Sequence, residues 1–268
     1  MQHRIVFSDI DGTLLNPERE LSALTISEIK RIKDSIPVIL ISSRMPSAMT
    51  HLQKELDILN QPLICYNGGL ILVDKTPIHS TVIPLEILEE LAIFNKSQKV
   101  HLSLYHNDDW FVPEMDFWAN REANNTKVTP IVRSTNEVVQ DWKSQQKGAH
   151  KIMCMGEETY IDDAYSFLQE NFADKLHLYR SKPTYIEVAN KNISKLTAIE
   201  VLLQTHFNIP ITQAVAFGDN YNDVEMIKAV GTGVAVANAK PETKEVANVI
   251  TLPGKEDGVA MFIKNNIK

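Results

Sequence analysis

The sequence predicts an α/β fold: a doubly wound, parallel sheet core with an inserted α+β unit. Three observations carry this expectation. At both ends of the chain, short apolar runs alternate with segments of helical periodicity. In the middle the rhythm changes to strands in adjacent pairs with helices between them. The terminal runs are almost continuously apolar, as strands of a parallel sheet covered on both faces must be, and they end in polar residues.

Residues 4–7 form the first such run, and residues 25–33 place Ile26, Ile29 and Ile32 at helical spacing. Pro37 precedes the run 38–41, Pro46 suits the first position of a helix over 46–56, and residues 63–66 make a third strand ending in Asn67-Gly68-Gly69. Residues 70–73 and 78–83 read as a strand pair about a turn at 74–77. Helices are expected at 84–95, 114–125, 136–145 and 159–171. Strands are expected at 100–105, 110–112, 151–155, 176–181 and 184–188. The first rhythm then returns: Ser194 caps a helix reaching about residue 206, the strand 214–217 leads into the loop 218–223, and the strand 233–236 precedes a helix from Pro241. A last helix starts near Asp257. The core is thus expected to comprise residues 1–83 and 185–268, with 84–184 as the insertion.

Composition narrows the function. With 44% hydrophobic and 23% charged residues, the 268-residue chain is that of an ordinary globular protein. A net charge of -7 argues against general affinity for nucleic acid or an anionic membrane, which need a basic footprint, but leaves small phosphorylated molecules open. The two cysteines, Cys65 and Cys154, lie apart in apolar runs and read as core residues. The N-terminus enters a strand pattern at once and no apolar run is long enough to span a bilayer, so a reducing, cytoplasmic setting is expected. A monomer or weak homo-oligomer is the expected assembly.

In a doubly wound sheet, ligands bind beyond the carboxyl ends of the strands. Four polar clusters fall at such places: Asp9 and Asp11 after the first strand, Ser42 after the second, Lys195 at a helix start, and Asp219 and Asp223 after the strand 214–217. On its own the Asp9-Ile10-Asp11-Gly12 stretch could equally be an acidic turn. Carboxylates gathered at one sheet end repel one another unless a hard cation neutralises them, and Mg²⁺ is the natural candidate. A lysine and a hydroxyl suit the oxygens of a phosphate, whose approach to a carboxylate they would shield.

Asp9-Ile10-Asp11-Gly12-Thr13, then Ser42 at a strand end, then Lys195, then Gly218-Asp219-Asn220-Tyr221-Asn222-Asp223 resembles the four ordered motifs of the haloacid dehalogenase superfamily. The insertion after Asn67-Gly68-Gly69 resembles the Cof-type subfamily, with a Rossmann-like core and an α/β cap that selects substrate. The resemblance covers the whole chain and implies a Mg²⁺-dependent phosphatase acting on small phosphomonoesters, sugar phosphates foremost. It implies Asp9 as the nucleophile that forms an aspartyl-phosphate, and Asp11 as general acid and then base. Ser42 and Lys195 would hold the phosphoryl group. It implies Asp9, Asp219 and the backbone carbonyl of Asp11 as metal ligands, with Asp223 a further ligand or the group that orients one. Proximity to other carboxylates is expected to raise the pKa of Asp11, while Asp9 stays ionised.

Ser43, Arg44, Asn67, Gly68, Asn222 and Asn238 lie on the same loops and are candidate substrate contacts beside Ser42 and Lys195; for Asn238 a helix cap is the competing role. In the insertion, His106, Asn107, Trp110, Arg121 and Tyr179 are candidates to reach the leaving group, against roles in turns or core. Three positions depart from the family pattern: Asn220, Leu196 and Ser43 each stand where glycine is common. Asn220 is expected to keep the turn through positive φ. The competing functions are a phosphomutase with the same nucleophile and a non-catalytic sensor of a phosphorylated metabolite.

Overall fold

The computed structural model describes residues 3–268. The chain divides into two compact units, one of Met1–His79 with Ser194–Lys268 and the other of Ser80–Ile193. In chain order the strands are β1 (Ile5–Ser8), β2 (Val38–Ile41), β3 (Leu63–Cys65), β4 (Leu70–Val73), β5 (Thr76–Ser80), β6 (His101–His106), β7 (Asp109–Val112), β8 (Ile131–Val132), β9 (Lys151–Met155), β10 (Leu176–Lys182), β11 (Tyr185–Asn190), β12 (Ala214–Gly218), β13 (Thr232–Ala235) and β14 (Val249–Ile250). The α-helices are α1 (Ala23–Ile32), α2 (Ser47–Leu56), α3 (Leu85–Phe94), α4 (Phe117–Thr126), α5 (Thr135–Gln145), α6 (Glu158–Phe172), α7 (Lys195–Leu202), α8 (Val224–Ala229), α9 (Pro241–Val246) and α10 (Gly258–Asn266).

The first sheet has the order β14-β13-β12-β1-β2-β3-β4-β5. It is parallel from β14 to β3, and β4 returns antiparallel to β3. Strands β1, β2, β3 and β12 are buried along their whole length, which is why they read as unbroken apolar runs. Ile5, Phe7, Ile39, Ile41 and Ile64 cluster with Ala198, Ile199 and Leu202 of α7 and with Met226 and Ile227 of α8. The alternate residues Val6, Val38 and Leu40 point to the opposite face. Strand β1 lies between β12 and β2, so the strand order reverses there. A crevice at the carboxyl end of the sheet follows from that reversal, with the loops after β1 and β12 side by side.

Two local expectations change here. The turn after β4 contains only Asp74 and Lys75, at φ 49° and 64°, so Pro77 lies within β5 and not in the turn. Strand β5 is the sheet edge, where a residue without an N–H is tolerated. Helix α7 ends at Leu202, and a π-turn over Leu203–Phe207 closes on Asn208 at φ 50°.

The second unit holds a sheet of order β10-β11-β9-β6-β7-β8. Its pairs are antiparallel except β7 with β8. Alternate residues Leu102 and Leu104, Ile152 and Cys154, and Ile186 and Val188 share a core with Leu88 and Leu91 of α3, Val138 and Trp142 of α5, and Ile161 and Leu168 of α6. Two features differ from the sequence reading. Strand β8 was not expected; both its residues are exposed, so no burial pattern marks it. Strand β11 pairs with β9 and β10, so the division falls at 193/194 and not at 184/185, and at 79/80 instead of 83/84. Cys65 and Cys154 are buried, and neither is disulfide-bonded.

Trp142 is 2% exposed at the centre of the second core, whereas Phe117 on α4 is 69% exposed. Trp142→Ala is expected to cost about 3–5 kcal/mol in chemical denaturation. Phe117→Ala should stay within about 0.5 kcal/mol of the wild type. Equal denaturation midpoints for the two variants would contradict this core assignment.

Candidate active site

The loop after β1 is fixed before it presents any charge. Ile10, Leu14 and Leu15 are buried, and the Asp9 amide donates to the Phe217 carbonyl at 3.0 Å, extending the β1–β12 ladder by one residue. Gly12 has φ 85°, and a Cβ there would collide with the Asp219 carboxylate, so only glycine allows the loop to pass this close to the next one. The Thr13 hydroxyl donates to Asp219 Oδ1 at 2.9 Å, tying the two loops from the other side.

Lys195 is the first residue of α7. The Ser194 side chain caps that helix and forms a capping box with Thr197, so Leu196 in place of the family's glycine leaves the helix start intact. An ammonium at a helix N-terminus meets the positive end of the dipole and must be offset. Lys195 is 1% exposed, and its Nζ donates to Asp9 Oδ1 at 2.5 Å and to Asp223 Oδ1 at 2.6 Å. Burial alone would lower its pKa, but Asp223 and Asp9 hold it above the usual lysine value. The other oxygen of Asp223 accepts from the Asp219 amide at 2.8 Å and the Asn220 amide at 3.0 Å. Asn220 has φ -125°, an extended conformation, so the turn is kept by capping and not by positive φ: its side chain accepts from the Tyr221 amide at 2.9 Å.

Asp9, Asp219 and Asp223 each offer one oxygen within 4.8 Å of the others. Among the described residues no other group of His, Cys, Asp and Glu gathers in this way. Burial raises Asp9 well above the usual carboxylate range, with Asp223 and Asp219 adding to the shift against Lys195. Burial and then Asp223 push Asp219 up to about 6.

Asp11 has the opposite surroundings. Its carboxylate accepts two hydrogen bonds from Arg44, Nε to Oδ2 and Nη2 to Oδ1, both at 2.7 Å, and Arg19 lies 3.8 Å away. Burial would raise its pKa, but the Arg44 hydrogen bond and charge, helped by Arg19 and Lys195, bring it below the ordinary value. The expected order of the two carboxyls is therefore reversed, with Asp9 raised and Asp11 lowered. Asp9 sits among other carboxylates, whereas Asp11 turns away to a guanidinium. The sequence held the signal, Arg44 three residues past the end of β2 and two past Ser42, but spacing does not tell which way an arginine points.

The remaining candidates are held on these loops. Ser42 is buried; its amide donates to the Ile64 carbonyl, its carbonyl accepts from the Asn67 amide at 2.8 Å, and its hydroxyl accepts from the Arg44 amide at 3.3 Å. Ser43 is half-buried beside it. Asn67 has φ 55°, and its side-chain oxygen accepts from Asn222 Nδ2 at 3.0 Å. Gly68 has φ 106°, and a Cβ there would run into the Ser194 carbonyl at the start of α7. Asn238 is not a helix cap: although exposed, it bridges two loops, its Nδ2 donating to the Gly12 carbonyl and its Oδ1 accepting from the Gly254 amide, both at 2.8 Å. It positions the Asp11-Gly12 turn, a role its strand-end location did not reveal.

The insertion's candidates lie in the second unit. His106 is buried and hydrogen-bonded to the Gly148 carbonyl, Asn107 is on a tight turn at φ 50°, and Trp110 is buried in a stack on Tyr105. Arg121 lies on α4 and Tyr179 on β10. A chain from Ser103 through His101 to Asp116, at 3.1 and 2.8 Å, has the look of a catalytic triad, but Ser103 has no exposed surface to meet a substrate.

Carboxylates gathered around one buried lysine at the switch point of a parallel sheet stand where doubly wound α/β proteins bind their ligands. The chain belongs to the haloacid dehalogenase-like hydrolases, whose family model matches residues 6–263. Within the family it is a Cof-type phosphoric monoester hydrolase. It is similar to an inferred phosphatase of Haemophilus influenzae, at 33% identity over 98% of both chains. It is also similar to the 5-amino-6-(5-phospho-D-ribitylamino)uracil phosphatase of Bacillus subtilis, at 27% identity over 97% of this chain and 96% of the other. A crystal structure from Thermotoga maritima, 26% identical, superposes with a TM-score of 0.90 over 100% of this chain and 98% of its own.

With folded pKa values raised at Asp9 and Asp219, the protonated forms are favoured by folding. Their contribution is full below the unfolded carboxylate range and is lost as pH rises through about 6 for Asp219. In chelator, thermal stability relative to an Asp219→Asn variant should therefore be greater near pH 5 than near pH 7. A pH-independent difference between the two proteins would refute this.

Proposed function

We propose that the protein hydrolyses small phosphomonoesters, sugar phosphates foremost, through an aspartyl-phosphate on Asp9. The observation that carries this reading is the bonding of Asp9. Its Oδ1 is taken by Lys195, among the described residues no hydrogen bond reaches Oδ2, and the residue keeps 6% exposure. One oxygen is anchored and the other is left for attack on phosphorus. The Bacillus relative's phosphoribityl substrate supports a polyol or sugar phosphate.

The donor set fits Mg²⁺. It is all oxygen, it sets three carboxylates against one ammonium, and Asp219 is pushed up to about 6 by burial and then by Asp223. Asp9 and Asp219 would hold the ion, with the Asp11 carbonyl as a further ligand. Asp223, with both oxygens engaged, orients Asp219 and Lys195. When bound, the ion supplies positive charge that lets a phosphate dianion approach the carboxylates.

The chain's own groups do the rest. Lys195 and Ser42 orient the phosphoryl group, and Lys195 opposes the burial that disfavours an ionised Asp9. Asp9 attacks phosphorus as the ester oxygen departs, taking a proton from Asp11. Water then attacks the aspartyl-phosphate, giving its proton to Asp11 and releasing phosphate and free Asp9. A cytoplasmic setting belongs to the same proposal, supported by two buried cysteines that are not disulfide-bonded.

A phosphate-release screen over sugar phosphates, nucleotides and cofactor phosphates tests it. Release should require a divalent cation and stop in chelator. Asp9→Asn should abolish turnover with every substrate while leaving the thermal transition cooperative. Wild-type-like turnover in that variant would sink the mechanism.

A further inference from the structure

We propose that Arg44 is a positioning residue for the second half of the reaction: its guanidinium holds the Asp11 carboxylate as the base that activates water against the aspartyl-phosphate. The inference rests on the proposed Asp9 chemistry and adds a role that a phosphate contact would not give Arg44.

Three features of the geometry lead here. The Arg44–Asp11 pair is a two-bond fork, with both contacts at 2.7 Å, and so fixes the plane of the carboxylate as well as its place. The fork is itself held. Arg44 is 6% exposed, Nη1 donates to the Ala48 carbonyl in α2 at 3.1 Å, and the backbone carbonyl accepts from the Tyr66 amide at 3.2 Å. Asp11, by contrast, has a side chain that is 44% exposed, and among the described residues its only other ion pair is with Arg19 at 3.8 Å. Arg19 is half-exposed, and such a surface pair orients little. Arg44 is therefore the group that keeps Asp11 from swinging into solvent.

The two chemical steps need Asp11 differently. In the first, the bond from phosphorus to the ester oxygen breaks, and an alkoxide needs a proton from Asp11, whereas a para-nitrophenolate leaves unaided. In the second, a water oxygen bonds to phosphorus, the phosphorus–Asp9 bond breaks, and the water proton goes to an Asp11 oxygen. That proton must be taken whatever the first leaving group was. A fork that donates two N–H groups to the carboxylate matches its ionised, proton-accepting form.

Rapid-mixing kinetics on Arg44→Gln with para-nitrophenyl phosphate and Mg²⁺ test this. The steady-state rate should fall about 10²-fold, preceded by a fast release approaching one equivalent of para-nitrophenol per enzyme. Mass spectrometry of the quenched enzyme should show a phosphoryl group on Asp9. With an alkyl phosphate both steps need Asp11, so the rate should fall without a burst. Arg44→Lys, which keeps the charge but not the fork, should show the same pattern with a smaller fall, and it stands in if the glutamine variant does not fold. A raised KM with unchanged kcat would overturn the proposal in favour of a substrate contact. A first turnover slowed as much as the steady state would overturn it in favour of a purely structural role. Absence of any phosphorylated Asp9, in the wild type as well, together with turnover by Asp9→Asn, would instead overturn the Asp9 reading.

Discussion

A single buried ammonium organises the catalytic core. Lys195 is sealed from water, and a charge in that position is tolerable only with well-placed counter-charges and complete hydrogen bonding. Asp9 and Asp223 supply them from segments 186 and 28 residues away in sequence. To satisfy the lysine, the loop after β1, the start of α7 and the loop after β12 must all arrive at one point. The smaller features serve that convergence. Gly12 lets the first loop come close to Asp219, the Ser194 cap starts α7 at Lys195, and Asn220 starts the turn that delivers Asp223.

That convergence over-supplies negative charge. Two carboxylates bind the lysine and a third, Asp219, stands beside them, so burial and mutual repulsion raise Asp9 and Asp219 together. Such a site stores a demand for a hard cation. Asp11 escapes the crowding by two residues of chain. The loop turns at Gly12, and the side chain meets Arg44 instead of the cluster. Neighbouring carboxylates in one motif thus receive opposite electrostatic environments from different strands, one from α7 and β12, the other from the end of β2.

The sequence made the fold and the charged residues legible for the same physical reason. Strands buried on both faces must be apolar, and their ends must be polar where the sheet opens to a ligand. Lys195 and the acidic residues stand out at those ends. Other features have no such signature. Strand β8 is two exposed residues, and β11 could be allotted to either unit until its pairing with β9 was known. The partner of Arg44 and the two-sided clamp made by Asn238 depend on side-chain direction across distant loops, which neither periodicity nor spacing encodes. Asn220 was expected at positive φ because asparagine tolerates it; the same side chain serves as a cap just as readily, and capping prevailed.

The division between Lys195 and Arg44 has a chemical logic. Asp9, the proposed nucleophile, needs a partner that anchors one oxygen and leaves the other bare; a lysine, a point charge on a flexible stem, can do this while also serving Asp223. An acid–base group needs its plane fixed while it stays open to solvent, and a guanidinium fork meets that need from one side. Exchanging the two cations would leave a fork competing for both Asp9 oxygens and a freely turning carboxylate at Asp11. The identity of each cation, and not merely its charge, therefore fits the task proposed for the carboxylate it holds.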